Sequence, residues 1–204
     1  HGENCIKSIS PFLHCFTAII IFYTIYEITK NYEKSLFGSL VYLLMPGITF
    51  SSLFISTDVP LMFFSALTAF CITKIYTTNK RNYVYYILLA FAIALGILSK
   101  YATFYIFVSF IITSLLYKDC RIFFLEKKFL FTIILIIILI LPNFIWNYEN
   151  GFVTLSHTVS NANLGNIKFN FTKGFIFLFS QMVIFGFIPI IFLFKNYISL
   201  NKFS

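Results

Sequence analysis

The stretch YVYYILLAFAIALGILSKYATFYIFVSFIITSLLY, Tyr83–Tyr117, decides the fold, and its only charged residue is Lys100. As one helix rising 1.5 Å per residue it would be about 52 Å long. A bilayer hydrocarbon core is only roughly 30 Å thick. Gly96, Ser99 and Lys100 interrupt the run near its middle. We therefore read two short helices joined as a tight hairpin, each arm crossing a membrane.

The same texture continues on both sides. Of the 204 residues, 59% are hydrophobic and 11% charged, where a soluble domain carries about 25% charged residues. Seven apolar runs emerge: Pro11–Ile28, Ser35–Phe54, Val59–Tyr76, Tyr83–Leu98, Ala102–Tyr117, Phe129–Trp146 and Gly174–Phe194. Backbone polar groups in lipid must be satisfied internally. Barrel strands would alternate polar and apolar residues, and these runs do not. The expected fold is all-α, a polytopic transmembrane helical bundle of about seven spans.

Charge orients the bundle. Alternate loops hold Lys30 and Lys34, then Lys74, Lys80 and Arg81, then Lys118, Arg121, Lys127 and Lys128, then Lys195 and Lys202. The other side holds Lys7, Lys100, Lys168 and Lys173. The basic-rich side is cytoplasmic by the positive-inside rule, which puts the N-terminus outside and the C-terminus inside. Fusing the hairpin into one span would put Lys118–Lys128 on the wrong side, so the asymmetry supports seven. The same distribution argues against nucleic acid as the reason for the net charge of +8. Cys5, Cys15, Cys71 and Cys120 form no C-x-x-C pair, which argues against a disulfide framework. The helix starts carry their own signals. Ser10-Pro11 and Thr57-Asp58-Val59-Pro60 read as N-caps with a proline in the first turn. Ala90, Ala92, Ala94 and Gly96 supply small residues at four-residue spacing, which let helices approach closely.

Three outer places hold groups capable of chemistry. Asp58 is the only charge in the short loop Ser56–Pro60; it reads either as a helix cap or as a carboxylate facing substrate. Lys100, with Ser99 and Tyr101, sits alone in the hairpin turn. It reads either as a lysine reaching from a helix end to the surface or as an anion site for Asp58 or a lipid phosphate. The polar segment from Trp146 to Lys173 includes Asn147, Glu149 and His157 and reads as a solvated loop of the kind that often bears binding groups. Glu149 and His157 are too few to make a metal site. His14 reads as a packed or hydrogen-bonded residue within a helix. No phosphate-binding glycine loop, H-E-x-x-H or nucleophile-elbow serine occurs, so a soluble nucleotide-sugar or ATP site is not indicated.

Three segments, in this order, resemble the dolichyl-phosphate-mannose–protein mannosyltransferase-like family, which includes the bacterial lipid A aminoarabinose transferase. Ile55–Phe64, ISTDVPLMFF, resembles its TPDAPLLFF segment. Leu95–Tyr101, LGILSKY, resembles its LGLLSKYTA segment. Leu141–Phe152, LPNFIWNYENGF, resembles its LPVLIWNAQHGW segment. The resemblance implies a GT-C fold in a bacterial inner (plasma) membrane. It implies transfer of a sugar from a polyprenyl-phosphate donor to a hydroxyl acceptor, lipid or protein, at the outer face. Asp58 and Lys100 match the family's acidic and lysine positions and are the expected catalytic pair. Thr57, Tyr101, Trp146, Asn147, Glu149 and His157 are expected to bind substrate. The cofactor is unknown; a divalent cation would help neutralise the departing phosphate. The family's first helix, its first outer loop with a catalytic acid, and its C-terminal part have no counterpart here. The chain is thus expected to be a fragment without transferase activity by itself. A transporter or flippase, or an inactive gene fragment, is the competing reading.

Overall fold

The computed structural model describes residues 2–78, 82–118, 121, 126–162, 171–186 and 189–191. Among them every regular element is a helix. The chain forms α1 (Gly2–Thr29), α2 (Tyr32–Leu44), α3 (Pro46–Ser51), α4 (Asp58–Thr77) and α5 (Tyr83–Ser99). A single 3-10 turn, Tyr101–Thr103, leads into α6 (Phe104–Leu116), followed by α7 (Lys127–Glu149), α8 (Val153–Ala162) and α9 (Phe171–Phe185). Among the described residues three helices are long and apolar enough to cross a membrane: α1 from Ser8 onward, α4 and α7; α5 and α9 are shorter apolar helices.

Local chemistry sets the boundaries. Asn31 caps α2 by accepting the Lys34 N–H at 2.9 Å, and Asn82 caps α5 by accepting the Val84 N–H at 3.1 Å. Such caps satisfy donors that a helix start leaves unpaired. The run Ser35–Phe54 is not one helix, as its apolar character suggested. Pro46 disfavours helical geometry in the residue before it. Met45 is accordingly extended at ψ 128°, and a new helix starts with Pro46 in its first turn. A second departure lies in α1, which runs through Pro11 from Gly2 instead of starting there. Ser10 is therefore no cap. Its hydroxyl donates instead to the Phe54 carbonyl at 2.8 Å, tying the chain after α3 to α1.

The break read near the middle of Tyr83–Tyr117 is present. Helix α5 ends at Ser99, and Lys100 is extended, with φ −161° and ψ 132°. Gly96 makes the tight return feasible: a Cβ there would lie 3.0 Å from Thr103 Cγ2 and 3.5 Å from Phe64 Cβ. The small residues of α5 are the packing centre. Ala90, Ala92 and Ala94 are fully or almost fully buried. Together with Leu89 and Ile93, Ala90 and Ala94 form a core with Cys71 and Ile75 of α4 and with Phe129 and Ile136 of α7. Helix α4 also packs on α1, and α1 on α2.

The helix directions give the bundle two chemically distinct ends. Ser10, Phe54, Asp58 and Lys100 lie at one end. At the other, Lys74 and Thr77 near the end of α4 meet Glu27 near the end of α1. Tyr86, in the first turn of α5, accepts through its carbonyl from Thr132 in the second turn of α7. Those two helices therefore run the same way.

Candidate functional site

Asp58 and Lys100 are 42 residues apart in sequence and meet as an ion pair, with Nζ 2.5 Å from Oδ1. Antiparallel packing of α4 and α5 brings them together: one opens the first helix and the other follows the second. Asp58 does not cap α4 with its side chain. Its own N–H donates to Ser56 Oγ at 3.1 Å, and the Ser56 hydroxyl donates to Asp58 Oδ2 at 3.2 Å. The carboxylate is thus freed from its helix start and held between a hydroxyl and an ammonium. Both charged side chains stay accessible, at 51% exposure for Asp58 and 44% for Lys100.

Asp58 and Ser56 stand at the edge of a cavity of about 800 Å³. That volume falls in the range of small-molecule and cofactor pockets, roughly 300–1,000 Å³. Its walls are largely apolar, built from Met45, Ile48, Phe50, Phe54 and Met62, with Ile184 and Phe185 of α9 closing one side. The close approach of α9 depends on Gly47, whose missing Cβ would lie 2.6 Å from Ile184 Cγ2. Tyr42 and Ser51 are the further polar members of the wall. An apolar cavity with a charged pair at its edge suits an amphipathic ligand, chain inside and headgroup at the pair.

The other expected site residues divide. Thr57 precedes α4, exposed and without a capping bond. Tyr101 packs half-buried against the α4–α5–α7 core. Trp146, Asn147 and Glu149 belong to the last turn of α7, and His157 to α8, so the expected loop is mostly helical up to Ala162. Asn161 and Ala162 end that helix, and the segment 163–170 lies outside the described residues. Among the described residues the side chains of Asp58 and Lys100 bond to each other, and that of Asp58 to Ser56, and neither bonds to Trp146, Asn147 or Glu149. Asn147 is the unusual member. It is 4% exposed and donates from Nδ2 to the Asn143 carbonyl at 3.0 Å, while its Oδ1 has no partner among the described residues. Among the described residues no three of His, Cys, Asp and Glu gather as metal ligands would.

Sequence reading missed the polar wall of the cavity. His14 bonds to Tyr42 and Ser51, three residues spread over α1, α2 and α3. The available signal was a histidine inside an apolar run, where an unpaired polar group would be costly.

The profile of the dolichyl-phosphate-mannose-protein mannosyltransferase family matches residues 8–146. The chain is also similar to the lipid A galacturonosyltransferase RgtD of Rhizobium johnstonii (strain DSM 114642 / LMG 32736 / 3841), with 27% identity over 194 residues. That alignment takes in 94% of this chain and 40% of the relative, so the chain spans well under half of that protein's length. No solved structure matches it significantly. The profile match runs through α1 to α7 and includes both partners of the ion pair; the chain belongs to the dolichyl-phosphate-mannose-protein mannosyltransferase family.

Proposed function

We propose that this chain forms the headgroup-facing part of a membrane glycosyltransferase. The enzyme moves a sugar from a polyprenyl-phosphate donor to a hydroxyl acceptor, lipid or protein, at the outer membrane face. One observation carries the reading: an accessible carboxylate–ammonium pair at the edge of a largely apolar cavity of about 800 Å³. The reaction breaks the bond between the sugar's anomeric carbon and the phosphate oxygen. It forms a bond from that carbon to the acceptor oxygen, and the acceptor's proton must go to a base. Lys100 is suited to the departing phosphate, and Asp58 to the proton. In the resting pair each neutralises the other. A phosphate arriving at Lys100 takes over the ammonium and frees Asp58 Oδ1 to act as base. Tyr101 and Thr57, neighbours of the pair in sequence, are proposed to contact the headgroup. Trp146, Asn147, Glu149 and His157 are proposed to hold the acceptor side.

The membrane placement belongs to the same proposal. Lys30, Lys74, Lys118, Lys127 and Lys128 adjoin helix ends opposite Asp58, so the positive-inside rule supports an outer position for the pair. Helix α5 has 17 residues, about 26 Å of rise, slightly less than a hydrocarbon core of roughly 30 Å. The turn at Lys100 is therefore placed at the boundary between hydrocarbon and headgroups, within reach of a lysine side chain extending to the surface. We take α1, the broken α2–α3, α4, α5, α6, α7 and α9 as seven crossings, N-terminus out, in a bacterial inner membrane.

The test is sugar transfer from a polyprenyl-phosphate donor by the membrane-embedded protein that carries this chain. Asp58→Asn and Lys100→Ala are each expected to lower the rate about 100-fold or more, the scale of losing one transition-state charge partner. Insertion should be unchanged. Wild-type turnover in either variant would remove the assignment.

A further inference from the structure

His14 lies one helical turn beyond Ser10, so about 6 Å deeper along α1 than the Ser10–Phe54 bond. It is 2% exposed. Its Nδ1 is 2.9 Å from the Tyr42 hydroxyl, and its Nε2 is 3.2 Å from Ser51 Oγ. Tyr42 and Ser51 both line the cavity, and His14 is not part of the wall.

The protons of this trio can be counted. A neutral imidazole has one N–H, and each hydroxyl has one O–H. Two internal hydrogen bonds use two of the three. The phenol is the stronger donor and makes the shorter contact, so Tyr42 O–H donates to Nδ1. Nε2–H then donates to Ser51 Oγ, and the Ser51 proton is left over. Thr17, Thr24, Thr68 and Thr73 donate to carbonyls four residues earlier in their own helices. The Ser51 hydroxyl makes no such bond; among the described residues its one hydrogen-bond partner is His14. In the opposite tautomer the surplus proton is Tyr42's, which has Met62 Sδ at 3.9 Å and the Thr17 hydroxyl oxygen as acceptors. In the first arrangement the Ser51 hydroxyl hydrogen on the cavity wall has no acceptor among the described residues. An unmet donor in apolar surroundings is costly, so an occupant that brings an acceptor is favoured.

We propose that His14, Tyr42 and Ser51 form a hydrogen-bonding notch that holds the carbonyl oxygen of an acylated lipid lying in the cavity, with His14 as the positioning residue. The proposal rests on the cavity being filled by lipid, as in the functional reading above. The chemistry selects the ligand. The notch has no cation, so it does not suit a phosphate. A polyprenyl chain has no acceptor beyond its phosphate. An acyl chain carries its ester or amide carbonyl just below the headgroup, about one helical turn beneath the rim. The notch thus assigns this cavity to an acylated lipid and leaves the polyprenyl tail to another surface.

The experiment compares two phosphatidylglycerols with the same headgroup and chain length, one diester and one diether, which lacks the carbonyls. Retention by the purified chain is read by native mass spectrometry. The wild type should hold the diester roughly three- to tenfold better, the scale of one net hydrogen bond. Ser51→Ala and His14→Phe should erase that preference while still holding the diether as the wild type does; Ser51→Thr should keep it. If Ser51→Ala fails to insert, Tyr42→Phe reads the same preference and should weaken it. Equal retention of the two lipids by the wild type, retention of neither, or a preference that survives Ser51→Ala overturns the proposal. Because the readout is lipid retention, an ester preference without any sugar transfer would leave the notch standing and sink only the transferase reading.

Discussion

The two ends of the bundle each hold acidic and basic groups, and they use them differently. At one end Glu27 joins α1 to α4. Lys74 lies 2.7 Å from Oε2, and Lys30 lies 3.0 Å from Oε1. Thr77 donates to Oε1 at 2.9 Å. The Glu27 side chain is 13% exposed, and Lys74 is 25% exposed. Nearby in the fold, the Tyr86 hydroxyl donates to Glu126 at 2.9 Å. Lys128 lies 4.6 Å from the centre of the Tyr83 ring, a favourable cation–π distance. At the other end Asp58 has one ammonium and one hydroxyl partner, and about half of each charged side chain is open. The first arrangement saturates its carboxylate and locks helices together. The second leaves its charges reachable beside a cavity. Counting ion pairs would not separate them; exposure and the neighbouring void do.

Charge exchange tests that contrast most sharply. Asp58→Lys combined with Lys100→Asp should restore an ion pair and an ordinary fold, yet leave sugar transfer down about 100-fold. Glu27→Lys combined with Lys74→Glu should leave transfer close to wild type. If the first exchange kept full activity, the Asp58–Lys100 pair would be only another clamp.

Stability should respond in the reverse order. Glu27→Gln keeps an acceptor but removes the charge facing two lysines. It should cost about 1–2 kcal/mol, a range already reduced for partial solvent screening at a helix end. Thermal unfolding of the detergent-solubilised chain, followed by circular dichroism, measures it. Asp58→Asn, at a more exposed pair, should cost less in the same assay. A larger loss from Asp58→Asn would reverse the assignment of the two ends.

The smallest effect is expected at the hairpin. Gly96→Ala gains about 1 kcal/mol of helix propensity. It also presses a methyl onto Thr103, with contacts at 3.0 and 3.1 Å, and overpacking of this kind costs typically 1–3 kcal/mol. The net should be a loss of about 0.5–1 kcal/mol, visible as a small drop in the thermal midpoint. A gain would mean that the Lys100 turn tolerates displacement.

Much of the helical layout was legible because lipid makes strong demands on sequence. The break at Lys100, the packing role of Ala90, Ala94 and Gly96, and the starts of α4 and α5 follow from run length, small-residue spacing and the proline signal at Pro60. The errors fell where one local rule met a competing one. An apolar run suggested a single helix from Ser35 to Phe54, and Pro46 divided it. Ser10-Pro11 suggested a helix start, yet the helix continues upstream and Ser10 turns to Phe54. The polar segment after Trp146 suggested a loop, but Val153–Ala162 is helical.

Sequence by itself determined that this chain is a helical membrane protein of recognisable family, since composition and periodicity are properties of the chain read along its length. It also singled out Asp58 and Lys100, because a lone charge in an apolar stretch is visible without coordinates. Only the tertiary structure decided that these two meet, that Ser56 turns the carboxylate away from its helix, and that His14 bonds from behind to Tyr42 and Ser51 of one cavity wall. Those facts depend on which helix ends lie side by side, and hydrophobic packing, being non-directional, leaves no residue-by-residue record of that choice in the sequence.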